Sequence, residues 1–273
     1  MILFPNAKIN IGLNVVSKRE DGYHNINTVF LPVGKLFDIL EVIPLLNGSE
    51  KDVLTVSGLD VPCISEDNLC LKAVNLMRQY IEIPPLNIFL HKIIPFGAGL
   101  GGGSSDAAFM LKLLNEMYQA DFDVTKLEII ASKIGADCPF FIKNQATYAE
   151  GTGNIFSLLD SELPNLWLEL IVPQVHVSTA FAYKTIIPCT PKNELKTAVF
   201  QPIDTWKKNI INDFEKPVFT EFPELKKIKE KLYEKGALYA SMSGSGSSVF
   251  GLFHQNPKLI WNKSLFVYSG FLR

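Results

Sequence analysis

Cysteine is scarce in this chain: the 273 residues hold 4, at Cys63, Cys70, Cys138 and Cys189, with no CxxC pair and no spacing suited to zinc. A chain of this length can bury a core without covalent staples, so the four read as reduced thiols of a cytosolic protein. No run of about 18 apolar residues occurs, which leaves no candidate for a membrane-spanning helix. Residues 1–16 alternate apolar with polar side chains and lack both the basic start and the unbroken apolar stretch of a signal peptide. A dominant charge is missing too. With 26 Lys and Arg against 28 Asp and Glu the net charge is −2, so there is no broad basic field to draw in a nucleic-acid backbone or an anionic membrane. Small molecules are the expected partners of a cytoplasmic protein, and the sequence is compatible with a monomer or a homodimer.

What remains is a chain that is 47% hydrophobic, free of repeats, and switching between apolar periods of two and 3.6. That mixture predicts an α+β fold. Ile9, Ile11, Leu13 and Val15 alternate with Lys8, Asn10, Gly12 and Asn14, giving a strand over 7–15 whose polar face gathers Lys8, Asn10 and Asn14. Further strands are expected at 28–33, 36–43, 53–56 and 86–94, and a helix from Asp67 or Asn68 to about Tyr80. Helical spacing continues over 107–118, and Thr125 with Glu128 forms a capping-box pattern for a helix ending at Gly135. Pro139 is expected to hold Cys138 out of helical geometry. From Leu166 the pattern restarts with a strand to Val172, a helix from Ser178 and a charged helix over 223–235 stopped by Gly236. Strands near 238–243, 248–253 and 265–268 complete an antiparallel sheet with helices on one face. A boundary at residues 160–165 would divide the chain into domains 1–162 and 163–273.

The most telling segment is Pro95-Phe96-Gly97-Ala98-Gly99-Leu100-Gly101-Gly102-Gly103-Ser104-Ser105, which lies between a strand and a helix. Only glycine lets successive backbone N–H groups converge without Cβ clashes, and a helix N-terminus adds unpaired donors and partial positive charge, so the segment suits a polyphosphate. Gly97, Gly99 and Gly102 fit GxGxxG, yet the dinucleotide fold needs a second parallel strand ending in an acidic residue, and the next long segment here is another helix. A Walker loop needs a lysine after its last glycine, where Ser104 stands. Protein-kinase catalytic-loop and DFG patterns are absent. The alternative, a flexible linker, fits poorly between a strand and an amphipathic helix.

The segment PFGAGLGGGSSDAA resembles the second motif of the GHMP kinases, the galactokinase, homoserine, mevalonate and phosphomevalonate kinase superfamily. AKINIGLNV at 7–15 resembles the first motif and SMSGSGSSVFGLF at 241–253 the third. Within the superfamily, Asp21-Gly22-Tyr23-His24 and Gly135-Ala136-Asp137-Cys138-Pro139-Phe140 resemble the 4-diphosphocytidyl-2-C-methyl-D-erythritol kinases. The likeness runs over about 7–254. It implies a two-domain fold, with an N-terminal domain like ribosomal protein S5 domain 2 and a ferredoxin-like C-terminal domain. It also implies transfer of the ATP γ-phosphoryl, with Mg2+, to the 2-hydroxyl of the cytidyl diphosphate substrate in the non-mevalonate isoprenoid pathway.

Residue by residue, the resemblance makes Lys8 and Asp137 the catalytic pair. Asp137 would orient the hydroxyl and accept its proton late, because a lysine partner keeps a carboxylate ionised but weakens it as a base. Lys8 would hold Asp137 and neutralise transferring oxygens. Pro95 to Ser105 would bind ATP, with Asn68 and Lys92 near the adenine; a helix N-cap and a solvated lysine are the plainer readings of those two. Tyr23 and His24 would read the cytosine, with Tyr183 or Phe181 as the opposite stacking face. Asn10 would touch the substrate, and Gly244 and Ser245 would close over its phosphates or simply form a tight hairpin. Ser105 is a candidate metal ligand. Another GHMP small-molecule kinase, or an inactive nucleotide-binding regulator on the same scaffold, are the competing functions.

Overall fold

In the computed structural model, which describes residues 1–45, 51–60, 67–159, 163–184, 186–191 and 194–272, the elements follow one another as β1 (Ile2–Leu3), β2 (Asn6–Lys18), β3 (His24–Phe37), β4 (Ile39–Pro44), β5 (Val53–Gly58), α1 (Leu69–Met77), β6 (Leu86–Lys92), α2 (Gly102–Met117), α3 (Val124–Ser132), α4 (Cys138–Lys143), β7 (Thr147–Glu150), β8 (Ile155–Leu158), β9 (Trp167–Val172), α5 (Thr179–Lys184), α6 (Leu195–Ala198), α7 (Trp206–Asn209), α8 (Glu215–Glu221), α9 (Pro223–Glu234), β10 (Tyr239–Met242), β11 (Val249–Phe253) and β12 (Phe266–Phe271). The chain forms two compact units that interleave along the sequence. One holds residues 1–7, 36–96 and 101–144, the other residues 8–35, 97–100 and 145–273. Residues 163–165, at the expected boundary, fall inside the second unit, and 160–162 lie outside the described residues.

The first unit is built on a sheet ordered β1-β4-β6-β5, in which β5 runs parallel to β6. Period-two patterning turns Leu86, Ile88 and Leu90 of β6 inward, and the same parity sends Lys92 inward with them. Val74 and Met77 of α1 and Met110, Leu111 and Leu114 of α2 are buried alongside. The second unit carries two sheets, β2-β3-β7-β8 and β10-β11-β9-β12. The latter is antiparallel throughout, and its order is that of a ferredoxin-like domain. Leu225, Ile228 and Leu232 of α9 pack into a core with Ile171, Ala240, Met242 and Val249.

Several local expectations are corrected. Residues 36–43 are not one strand, because Asp38 interrupts at the end of β3 and spends its carboxylate on the backbone N–H groups of Ile93 and Ile94. α2 begins at Gly102 rather than near residue 107, since glycines carry no apolar periodicity and hide the first turn. α3 is capped by Asp123, which accepts from the Lys126 N–H at 2.7 Å, and not by Thr125. Cys138 is helical: Pro139 sits in the first turn of α4, where its missing N–H is harmless. The short β7, β8 and α6–α8 escape sequence reading because four to seven residues show no period.

Candidate active site

The three glycine-bearing segments read as motifs meet within the second unit, the middle one through residues 97–100. β2 delivers Lys8 and Asn10 from its polar face, which is buried rather than solvated. The Lys8 ammonium donates to Asn10 Oδ1 at 2.6 Å and stands 5.0 Å from the Phe30 ring centroid. Its backbone N–H donates to the Leu100 carbonyl at 2.9 Å, tying β2 to the glycine segment. Ser243, in the turn between β10 and β11, accepts from the Asn10 N–H at 3.1 Å and donates to the Gly99 carbonyl at 2.9 Å. Ser248 N–H donates to the Ala98 carbonyl at 3.2 Å. The packing is tight enough to demand glycine: Gly99 has φ +77°, and a Cβ there would stand 2.1 Å from the Ser243 carbonyl oxygen.

Gly97, Gly99 and Gly101 all take left-handed backbone angles, alternating with Ala98 and Leu100, so the segment coils into a concave run of backbone groups of the kind that receives anions. Gly101 then starts α2, whose N-terminus has no side-chain cap. A helix of 16 residues with its first N–H groups left to other partners is the donor set a phosphate requires. Beneath that turn, within the first unit, Lys92 is buried between Asp38 and Asp106, 2.6 Å from the latter. The reading of Lys92 as a solvated lysine therefore fails. Burial opposes the charge on Lys92, but the two carboxylates outweigh it and hold its pKa above the ordinary value. Burial, with Asp38 nearby, raises that of Asp106 against the pull of Lys92.

His24 begins β3, and its ring stacks on Tyr183 of α5, centroids 5.0 Å apart and planes 22° from parallel. Tyr183 is braced edge-on by Phe214, while Phe181 packs against Phe222. Tyr23 is 67% exposed, its ring open to a partner. Burial and then the charge of Lys18 lower the His24 pKa, so the imidazole is neutral at pH 7 and offers one donor and one acceptor. Asn68 caps α1, accepting from the Cys70 N–H at 2.9 Å, which is the plainer of its two expected readings. Asp137 stands at the start of α4 without capping it. Gly244 and Ser245 lie in the turn after β10, where Ser245 Oγ is 3.1 Å from Thr179 Oγ1. Ser105 is buried with its hydroxyl unpartnered.

Residues 68–145 match the model of the GHMP kinases N terminal domain and residues 200–263 that of the GHMP kinases C terminal domain. A 4-diphosphocytidyl-2-C-methyl-D-erythritol kinase of Parabacteroides distasonis is 53% identical, covering 97% of this chain and 96% of its own. The chain belongs to the 4-diphosphocytidyl-2-C-methyl-D-erythritol kinase family. A crystal structure of a 4-(cytidine 5'-diphospho)-2C-methyl-D-erythritol kinase superposes with a TM-score of 0.83 at 31% identity, over 99% of this chain and 98% of that one. The mevalonate kinase of Methanococcus jannaschii, 14% identical with a TM-score of 0.67 over 98% and 97% of the two chains, shares the fold.

Against that family background, three residues missed by sequence reading matter to the site. Thr28 is fully buried on β3 and bonded to Asn10. Asn212 donates from its amide to the carbonyls of Met242 and Gly244, each at 2.8 Å, and so anchors the β10–β11 turn. His176 lies over Gly97, where a Cβ would come within 3.2 Å of its ring. Thr28 and Asn212 lie outside any glycine motif, and their partners are 16 to 32 residues away, beyond the reach of local spacing. Among the described residues no cluster of His, Cys, Asp or Glu could hold a metal, and no helix is long and apolar enough to cross a membrane.

Proposed function

We propose that this protein transfers the γ-phosphoryl of ATP to the 2-hydroxyl of 4-diphosphocytidyl-2-C-methyl-D-erythritol, a step of the non-mevalonate isoprenoid pathway. The observation that carries the reading is the meeting of β2, the glycine segment and the β10–β11 turn, together with His24 and Tyr183, in a chain 53% identical to a kinase of that name. Phosphoryl transfer depends chiefly on positioning and charge stabilisation. The coil from Pro95 to Ser105 and the uncapped start of α2 take the phosphates. Asn68 and Lys92 support the nucleotide through what they hold in place, the start of α1 and the turn into α2. Tyr23 stacks on the cytosine while neutral His24 bonds its polar edge, with Tyr183 as the support of that ring. Gly244 and Ser245 line the phosphate side, and Asn10 faces the substrate alongside Lys8.

In this reading Asp137 orients the substrate hydroxyl and takes its proton late in the transfer, and Lys8 balances charge on the transferring oxygens. Mg2+ would supply further charge neutralisation on the phosphates, with the buried, unpartnered Ser105 hydroxyl as the side chain suited to hold it. The reading carries with it a cytoplasmic enzyme, monomeric or homodimeric, with a division of labour between residues 1–162 and 163–273. Its test is ADP release with three acceptors in parallel. The cytidyl substrate should support turnover with kcat/KM at least about 10³-fold above mevalonate or homoserine, since a site built to bond a base rejects ligands that lack one. Preference for mevalonate or homoserine would end the assignment.

A further inference from the structure

Thr28 has no place in any glycine motif, yet it fixes the hydrogen-bond sense of the site. Its hydroxyl donates to the Gly12 carbonyl at 2.6 Å and accepts from Asn10 Nδ2 at 2.9 Å. A hydroxyl has one hydrogen, and a carbonyl can only accept, so that hydrogen is committed to Gly12. Only lone pairs then face Asn10, and only the NH2 end of its amide can turn towards them. The opposite end, Oδ1, is thereby aimed at the Lys8 ammonium 2.6 Å away. The whole chain is buried, Lys8 at 4% exposure, Asn10 at 2% and Thr28 at 0%, so water does not offer substitute partners. Register supports this placement: Thr28 pairs with Ala149 of β7, which holds the backbone of β3 from its other edge.

We propose that Thr28 is a positioning residue for Lys8, acting through the Asn10 amide to hold the ammonium at one point over the Phe30 ring. The proposal rests on the reading of Lys8 as the group that balances charge on the transferring phosphoryl. Without the Thr28 hydroxyl the buried Asn10 NH2 loses its acceptor, and the amide re-seats to regain one, carrying Oδ1 off the point where it meets the ammonium. Lys8 would then shift, while the phosphate coil and the cytosine side keep their own partners.

The test is a graded series at position 28 crossed with Lys8→Met. Thr28→Val keeps the branched shape and removes the hydroxyl, Thr28→Cys offers a weaker donor and acceptor, and Thr28→Ser restores both. With displacement of a charge by about 1 Å costing up to about 10²-fold, Thr28→Val should lose roughly 10- to 100-fold in kcat with KM for ATP within about 2-fold, Thr28→Cys should be intermediate, and Thr28→Ser should recover to within about 3-fold. In the Lys8→Met background, Thr28→Val should cause no further loss in kcat, because both changes remove the same interaction. A purely structural role would move kcat and thermal stability together and would add its loss to that of Lys8→Met. Full turnover in Thr28→Val, or an additive loss, overturns the proposal while leaving the reading of Lys8 standing. Full turnover in Lys8→Met overturns both. If Thr28→Val fails to fold, the Cys and Ser variants carry the same comparison.

Discussion

Replacing Gly99 by alanine tests how the glycine segment is held. At φ +77° an L side chain costs about 1–2 kcal/mol in backbone strain. The added Cβ would lie 2.1 Å from the Ser243 carbonyl oxygen, where ordinary contact begins at 3.4 Å, so the segment and the β10–β11 turn must part by about 1 Å. Parting breaks the bond from Ser243 to the Gly99 carbonyl and strains that from Ser248 to Ala98, about 1 kcal/mol each. The sum is roughly 3–4 kcal/mol. Gly236→Ala is the control: φ is +90° there with nothing within 4 Å, leaving only the strain. At roughly 2–4 °C per kcal/mol for a chain of this size, Gly99→Ala should lower Tm by roughly 6–16 °C and Gly236→Ala by roughly 2–8 °C. In a steady-state assay Gly99→Ala should also raise KM for ATP about 10-fold or more, at 1.4 kcal/mol per decade, with Gly236→Ala unchanged. Equal losses of Tm in the two variants, or an unaltered KM in Gly99→Ala, would refute the reasoning.

Three further outcomes follow from the same geometry. Asp137→Asn should lower kcat by about 10²–10⁴ and leave KM for ATP nearly unchanged, and near-normal turnover in a steady-state assay would remove Asp137 from catalysis. Lys92→Met leaves the carboxylates of Asp38 and Asp106 buried without their cation, so urea unfolding should show a loss of about 3–5 kcal/mol, and an unchanged midpoint would contradict the structural importance of the triad. Because the His24 pKa is depressed, the stability and affinity owed to its neutral ring are fully present above the unfolded value of about 6.5 and are lost as pH falls through the lower folded value. KM for the cytidyl substrate should therefore stay flat from pH 8 to about 6.5 and climb below it, whereas a climb already between pH 8 and 7 would exclude the neutral imidazole as its ligand.

Much of this arrangement is legible in the order of the residues, and the exceptions share a physical cause. Alternation marks β2, and glycine chemistry marks the coil before α2, because both signals are local. Alternation does not say what a polar face meets: Lys8 and Asn10 face other buried polar groups rather than water. The inward parity of Lys92 is also written in β6, where it follows Leu86, Ile88 and Leu90. What the sequence withholds is its compensation, because Asp38 and Asp106 stand 54 and 14 residues away. Asn212 holds the β10–β11 turn across 30 and 32 residues, and nothing in its neighbours announces that task. The helical start of α2 is hidden for the opposite reason, since glycines at its first turn carry no apolar pattern to read. Tyr183 and Phe181 differ by half a helical turn, and their different neighbours, His24 for Tyr183 and Phe222 for Phe181, are set by the fold rather than by local spacing.

The most direct test of the central claim is phosphorus NMR of the product formed from ATP and 4-diphosphocytidyl-2-C-methyl-D-erythritol by the purified protein. The expected spectrum shows one new phosphomonoester per ADP, coupled to the substrate carbon that bears the 2-hydroxyl, with the diphosphate bridge intact. ADP without that ester, or a phosphoryl group on any other oxygen, would contradict it.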